Sequence, residues 1–153
     1  MSVQYISGDL FHFDGLDGLA HGCNCAGSMG KGIAVPFKRR YPAMYRAYRQ
    51  RCLEGTFTLG DVFEWPTACE TIFNLGTQAH WRSKAELWAV EQALEQMVRG
   101  AERRGVKRIG LPRIGAGLGG LSWLSVKEVM TAVGEQASVD LVVFETYVSG
   151  ELA

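Results

Sequence analysis

Histidine, cysteine and serine side chains in and beside two glycine-rich segments are the residues that could carry catalysis. His21 and His80 are the candidate general bases, because an imidazole ordinarily titrates near neutrality, and His12 is less well placed. Cys25 and Ser28 are candidate nucleophiles, but neither has a neighbouring base in the sequence. The sequence therefore offers bases without an evident nucleophile–base pair.

Both histidines have an alternative interpretation. Period-2 alternation along a strand points His21 and Asn24 to opposite sides, so His21 reaches a pocket only if the strand bends at Gly22. A packed, hydrogen-bonded histidine is the preferred interpretation of His21. His80 lies in a polar loop, where a surface role and a catalytic role are both open.

Glycine and polar residues fill three connections that each follow a strand, at 22–32, 76–83 and 112–120. The first and third are glycine-rich and lead into helices, where backbone N–H groups can close around a phosphate. Two such loops favour a nucleotide diphosphate as ligand, and two purely structural turns are the alternative. The sequence contains neither a P-loop nor the dinucleotide-binding glycine fingerprint.

These loops need an alternating α/β framework to position them. Hydrophobic periodicity and turn residues predict strands at 3–6, 18–23, 61–65, 71–75, 106–111 and 139–146 and helices at 33–40, 43–53, 83–104 and 122–137. Ser83 and Glu86 form a capping-box pattern, and Asp9 is expected to cap a turn. The expected fold is a single three-layer α/β/α domain over 1–153, around a mixed sheet of about six strands with ligands at its carboxyl edge.

Composition excludes several classes of protein. Lys+Arg and Asp+Glu both number 16, so strong binding of free nucleic acid through phosphate neutralisation is not expected. We see no membrane span and no signal-peptide pattern. The four cysteines do not form a disulfide framework, and the C-x-C at 23–25 lacks a second pair for zinc. We expect a cytoplasmic monomer with no metal and no cofactor.

The motifs taken together resemble the macrodomain, an ADP-ribose-binding α/β module, over nearly the whole chain. The resemblance is carried by YISGDL (5–10), HGCNCAGSMGKGIA (21–34), FNLGTQ (73–78) and PRIGAGL (112–118). The second stretch is particularly similar to the fungal ADP-ribose 1''-phosphate phosphatases of the family. Residues 74–82 look most like its DNA ADP-ribosyl glycohydrolase antitoxins, in a branch that also contains the terminal ADP-ribose protein glycohydrolase.

The resemblance implies roles for individual residues toward ADP-ribose. Asp9 would accept a hydrogen bond from the adenine amino group beside the backbone of Leu10, and Asn24 would bind the distal ribose hydroxyls. The remaining ligand-binding positions are backbone groups around the diphosphate and rings against adenine: Gly30, Lys31, Gly32, Ile33, Thr77, Gly115, Ala116, Gly117, Leu118, and Phe144 or Tyr147. Phe144 is equally well explained as core.

Two departures from the family pattern affect the expected chemistry. Members that act through a lysine carry it after the threonine that matches Thr77, where this chain has Gln78, and they carry an aspartate where this chain has Gly119. The resemblance therefore implies a metal-independent hydrolase acting at the 1'' position of ADP-ribose or of an ADP-ribosylated protein or nucleic acid, without a covalent lysine. Asn24, His21 and His80 are its candidate catalytic residues. The alternative is a non-catalytic ADP-ribose reader.

Overall fold

Strands and helices alternate along the chain in a computed structural model, which describes residues 2–148. In that range the strands are β1 (Val3–Gly8), β2 (Gly18–Asn24), β3 (Val62–Pro66), β4 (Thr71–Gln78), β5 (Arg108–Leu111) and β6 (Asp140–Tyr147). The helices are α1 (Ala34–Arg40), α2 (Pro42–Glu54), α3 (Leu87–Arg104) and α4 (Trp123–Gln136), with a 3-10 turn at Leu10–His12. No helix of this range is long and apolar enough to cross a membrane.

The strands form one mixed six-stranded sheet in the order β1-β6-β5-β2-β4-β3. All neighbouring pairs are parallel except β3 and β4, which form an antiparallel hairpin. Because β1, β6, β5, β2 and β4 run in one direction, their carboxyl ends meet at a single edge of the sheet. The connections that follow these strands are therefore gathered at that edge.

Helices cover both faces of the sheet, so the predicted three-layer α/β/α architecture is confirmed. Alternate residues of β6 show the two faces: Leu141 packs into the core formed with α3 and α4, whereas Val142 packs into the core formed with α1 and α2. Phe37 and Tyr48 are fully buried in the second core. The first glycine-rich loop rests on this second core.

Of the two predicted caps, the one at Asp9 is confirmed and the one at Ser83 is wrong. The Asp9 carboxylate accepts a hydrogen bond from the Phe11 N–H at 2.9 Å, and Gly105 ends α3 in the left-handed conformation. The capping box at Ser83 is wrong, since α3 begins at Leu87. The Ser83 hydroxyl instead accepts from the His80 N–H at 2.9 Å and donates to the His80 carbonyl at 2.8 Å, because a local turn competes for the same side chain.

Candidate functional site

A cleft of about 730 Å³ lies at the carboxyl edge of the sheet, where the three predicted connections meet. This volume is within the range of small-molecule sites. Many of the residues predicted to bind ligand line it: Asn24, Gly30, Lys31, Gly32, Ile33, Thr77, Gly115, Gly117, Leu118, Phe144 and Tyr147. The sequence thus placed most of its candidate ligand-binding residues around one cavity.

Several predicted site residues do not line this cleft. Leu10 is buried in the second core, and the Asp9 carboxylate caps the turn after β1 and pairs with His12 at 2.8 Å. The Ala116 N–H, expected to face a diphosphate, donates to the Arg113 carbonyl at 3.1 Å. His80 lies immediately beside the lining residue Trp81. Asp9, Leu10 and Ala116 therefore need either a shift of the chain or an indirect role to act on a ligand.

The first glycine-rich loop is held in place by the Asn24 side chain. Its Oδ1 accepts from the N–H groups of Ala26 at 3.0 Å and Ser28 at 3.2 Å, and its Nδ2 donates to the Ser28 carbonyl at 2.8 Å. The Tyr48 hydroxyl lies 2.6 Å from the Asn24 carbonyl oxygen and 3.0 Å from Oδ1. Burial raises the pKa of Tyr48, so this phenol stays a donor. Asn24 therefore braces the loop, whatever it contributes to a ligand.

Backbone donors without an acceptor line both glycine-rich loops. Within residues 2–148, no oxygen accepts from the N–H groups at 30–33 in the first loop or from those of Gly117 and Leu118 in the other. The loops also touch, because a Cβ built on Gly32 would lie 3.1 Å from Leu118 Cδ1. Gly32 has a φ of +62°, which residues with a side chain rarely adopt. Two sets of unpaired donors therefore lie in the lining of one cleft, an arrangement that suits an anion.

The charge of the cleft lining differs from that of the chain as a whole, which is neutral. Its lining includes three cationic side chains, Lys31, Arg82 and Arg113, and one carboxylate, Glu145. Glu145 accepts from Trp123 Nε1 at 3.0 Å and pairs with Lys127 at 3.0 Å, and these contacts lower its pKa. The cleft is thus biased toward anionic ligands.

The second connection, which follows β4, begins with an irregularity in strand pairing. Cys23 pairs with Gly76 and Asn24 with Gln78, so Thr77 is one extra residue on β4. The Gln78 side-chain amide donates to the Ser83 carbonyl. At the position where a lysine would act, this chain has a side chain that closes its own loop.

Gly119 occupies the position of the missing aspartate and has no room for a side chain. A Cβ built there would lie 2.5 Å from the Gly115 carbonyl oxygen, and that contact is with backbone. The Gly119 carbonyl accepts from the Ala85 N–H at 2.8 Å, which ties the second glycine-rich loop to the connection after β4. The backbone of this loop therefore leaves no space at Gly119 for the aspartate that the lysine-dependent members carry.

His21 is part of the core rather than of the cleft lining. It is fully buried, its Nε2 lies 2.7 Å from Asn74 Oδ1, and its ring stacks on Phe37 with centroids 3.9 Å apart. Burial lowers its pKa to about 4, against the Asn74 hydrogen bond, which raises it. This is the packed, hydrogen-bonded setting that strand alternation favoured.

Sequence reasoning assigned none of Trp81, Arg82, Arg113 and Glu145 to the site, although all of them line the cleft. Trp81 and Arg82 were placed in a polar loop of the correct connection, and an exposed tryptophan in such a loop was the available signal. Cys23 also lines the cleft, but burial raises its pKa well above the usual range, so it presents a neutral thiol.

Known proteins that are similar to this chain belong to the family that the sequence motifs resemble. The family model described as Macro domain matches residues 20–130. A DNA ADP-ribosyl glycohydrolase of Mycobacterium tuberculosis is 35% identical over 147 residues, covering 93% of this chain and 42% of that protein. An ADP-ribose 1''-phosphate phosphatase of Lodderomyces elongisporus is 30% identical over 146 residues, covering 85% and 91%.

Solved structures share the architecture. The macrodomain of Mycobacterium tuberculosis DarG has a TM-score of 0.87 at 35% identity, over 97% of this chain and 98% of that one. The macrodomain of Thermus aquaticus DarG has a TM-score of 0.85 at 33% identity, over 94% and 97%. The chain spans less than half the length of the DNA ADP-ribosyl glycohydrolases that it matches. Since the family model covers more than half of the 153 residues, the chain belongs to the Macro domain family.

Proposed function

We propose that this chain binds ADP-ribose in the cleft and hydrolyses conjugates at the 1'' position of the distal ribose. The proposal is carried by the two loops that line the cleft, because the N–H groups at 30–33 and those of Gly117 and Leu118 have no acceptor within the described chain. A diphosphate would receive hydrogen bonds from both loops, and the cationic lining would offset its charge. The similarity to proteins named DNA ADP-ribosyl glycohydrolase and ADP-ribose 1''-phosphate phosphatase supports this ligand.

The strand order supports an orientation for the ligand. Adenine would lie at the β6 end, near Phe144 and Tyr147, and the distal ribose would lie at the β2–β4 end, near Asn24. Asp9 follows β1, the neighbour of β6, so its assignment to adenine agrees with this direction. Hydrolysis consumes one water, whose hydroxyl ends on ADP-ribose and whose proton ends on the leaving group.

His80 is the remaining candidate for proton transfer near the distal end. Its Nδ1 accepts from the Arg82 N–H at 3.1 Å, so the neutral ring carries its proton on Nε2. In this tautomer Nε2 can donate a hydrogen bond, but it has no free lone pair with which to abstract a proton. We propose His80 as a donor to the leaving group, and the water is activated by the substrate phosphates.

The alternative is a reader that binds ADP-ribose without turnover. Gln78 and Gly119 favour it, because neither can supply the nucleophile or the carboxylate of the lysine-dependent members. The single domain over 1–153, the monomeric state and the cytoplasmic location stay predictions.

A matched pair of glycine variants tests binding. Gly32→Ala and Gly55→Ala both place a side chain at a left-handed φ, +62° and +72°, but Gly55 has nothing within 4 Å of the added carbon and lies at the end of α2. Both should lose about 1 kcal/mol of stability, whereas only Gly32→Ala should weaken ADP-ribose binding, by tenfold or more in calorimetry. Equal affinities in the two variants would contradict the loop assignment.

Turnover is tested with three substrates: ADP-ribose 1''-phosphate, mono-ADP-ribosylated protein and mono-ADP-ribosylated DNA. Release of free ADP-ribose from any of them supports the hydrolase. Tight binding of ADP-ribose with no release from all three supports the reader.

A further inference from the structure

The two outer strands of the sheet differ in how their free edges are protected. Such an edge carries N–H and C=O groups that can pair with another chain, and charged residues or proline commonly prevent this pairing. β3 has both features, because it ends at Pro66 and its Glu64 is paired with Arg104 of α3. β1, at the opposite edge, has the sequence VQYISG, with no charged residue and no proline. β1 is therefore the edge that is open to pairing.

The backbone of β1 presents a regular set of donors and acceptors at this edge. The carbonyls of Ser2 and Gly8, at the two ends of the strand, accept N–H groups from the β6 side. Because the direction of bonding alternates along a strand in a parallel pair, Val3, Tyr5 and Ser7 direct their N–H and C=O groups out of the sheet. In the described part of the chain β1 pairs with β6 alone, so these groups have no backbone partner there.

Helix α4 lies directly against one face of β1 and holds the strand in place. Gly134 of α4 crosses Val3 so closely that a Cβ built on the glycine would collide with Val3 Cγ2. The Tyr5 side chain reaches the same helix, where its hydroxyl contacts the Thr131 hydroxyl and lies 3.3 Å from the Lys127 carbonyl oxygen. The edge is therefore extended and fixed before any partner arrives, which lowers the entropy cost of adding a strand.

One flank of α4 continues the edge of β1 as an exposed surface. It carries Lys127 and Thr131, which contact Tyr5, whereas Val129 on the other flank packs into the core. A shallow groove of about 460 Å³ runs along the exposed flank and is lined by Leu124, Lys127, Glu128, Thr131, Ala132 and Glu135. Leu124 is 73% exposed. A strand added to β1 would bring its own chain alongside this groove.

We propose that the free edge of β1 is an interaction surface whose partner is β1 of a second copy of this chain. The strand is complementary to itself about a two-fold axis through Tyr5. In this antiparallel register Val3 lies opposite Ser7 of the second copy, and Tyr5 lies opposite Tyr5 of the second copy. These are the residues whose backbone groups point outward, so the pairing forms about six backbone hydrogen bonds. No like charges meet along the strands, since β1 carries none.

The same two-fold axis brings the exposed flanks of the two α4 helices together. The helices run antiparallel, and Lys127 and Glu135 lie towards opposite ends of the flank, so unlike charges approach each other across the axis. Thr131 and Ala132, between them, are small enough to let the helices come close, and Leu124 becomes covered. A second copy thus covers both the strand edge and the helix flank, whereas a single extended peptide would leave the flank exposed.

The pairing can be tested without any ligand, because the antiparallel arrangement directs the two clefts in opposite directions and each cleft is lined by its own chain. Sedimentation should show a dimer that dissociates on dilution, with a Kd on the order of 10 μM for an interface of this modest size. Hydrogen exchange of single amides then locates the contact. The N–H groups of Tyr5 and Ser7 should exchange at least about fivefold more slowly at 1 mM than at 1 μM protein, whereas that of Gln4, which faces β6, should change less.

Two variants at one position separate the backbone contact from the side chain. Ser7→Pro removes an N–H group that has no backbone partner in the single chain, at an exposed residue of an edge strand, where proline is tolerated. It should raise the dimer Kd at least about tenfold, because a hydrogen bond is lost on each side of the two-fold axis. Ser7→Ala, the matched control, keeps the N–H group and should change Kd by less than roughly twofold.

Three results would overturn the proposal. A monomer at every concentration agrees with the monomeric state expected from the sequence and leaves the edge to an extended segment of another protein. A dimer in which the Tyr5 and Ser7 amides exchange equally at both concentrations uses another face of the molecule. Equal dimerisation of Ser7→Pro and Ser7→Ala shows that the Ser7 N–H group is not in the contact. If Ser7→Pro does not fold, the amide exchange of the wild type decides alone.

Discussion

Removal of one oxygen atom tests how the first glycine-rich loop is held. Tyr48→Phe keeps the buried ring and deletes the hydroxyl that bonds the Asn24 carbonyl and Oδ1. Oδ1 keeps the two N–H donors of the loop, so the principal loss falls on the carbonyl. A buried acceptor that loses its donor costs about 1–3 kcal/mol, and we expect the free energy of unfolding to fall by that amount.

The loss should also appear in ligand affinity. The hydroxyl supports the segment whose N–H groups are proposed to bind the diphosphate, so a loosened loop has to be ordered again on binding. If the lost free energy is confined to the loop and has to be restored on binding, about 1.4 kcal/mol of it corresponds to a tenfold rise in Kd for ADP-ribose. Urea unfolding gives the first quantity, and calorimetry gives the second.

Tyr45→Phe is the matched control, because the change is the same and lies on the same helix. The Tyr45 hydroxyl donates to the Gly27 carbonyl of the same loop at 3.2 Å, in a half-buried position. Its loss should cost only about 0.5 kcal/mol, with little change in Kd. If Tyr48→Phe matches Tyr45→Phe in both measurements, the Tyr48 hydroxyl does not hold the loop, and our account of Tyr48 as the support of Asn24 is refuted.

Three further substitutions probe the site and the core. Gly119→Asp should lower ADP-ribose affinity at least tenfold by calorimetry rather than install an acid, because its Cβ would meet the Gly115 carbonyl oxygen at 2.5 Å; unchanged affinity would show that the loop can move aside. Gly76→Ala should destabilise by about 2 kcal/mol or more in urea unfolding, since its Cβ would lie 2.5 Å from the Thr58 carbonyl oxygen; wild-type stability would contradict this. His21 has a folded pKa of about 4 against 6.5, so below pH 6.5 the unfolded chain takes up the proton first and stability falls toward pH 4. The loss is up to roughly 3 kcal/mol, and His21→Gln should show a shallower pH dependence by that amount.

Much of the framework was predictable because its signals are local. The apolar stripe of α3 and its closing glycine predicted the end of the helix at residue 104, and the nearly continuous apolar run of β6 predicted an interior strand. The two glycine-rich loops were predictable for the same reason, since each is defined by residues adjacent in sequence. Parallel strands then bring such loops together without any further information.

The hydrogen-bond partners of individual polar groups were not predictable in this way. The brace on Asn24 comes from Tyr48, 24 residues later and on a helix whose stripe alone suggested only packing. The turn at 80–83 took Ser83 away from the helix it was expected to cap. The Ala116 N–H donates to the Arg113 carbonyl within its own turn. In each case the sequence identified a group that can form a hydrogen bond, but it did not indicate which of several partners that group would bind.

If the distal ribose lies at the β2–β4 end of the cleft, as proposed, the groups around it limit which bonds the cleft can break. The lining there offers a neutral thiol at Cys23, the bound amide of Gln78 and, beside it, the Nε2–H of His80, and none of these is a strong base or nucleophile. Among residues 2–148, Glu145 is the only carboxylate that lines the cleft, and it lies at the β6 end and pairs with Lys127. A site that supplies position and positive charge, but little proton transfer, favours leaving groups that depart as stabilised anions. A phosphate and a nucleobase that loses an acidic ring proton meet that condition, whereas the alkoxide of a serine does not. Within this family the absence of the lysine and the aspartate is therefore a restriction on substrate as much as on mechanism.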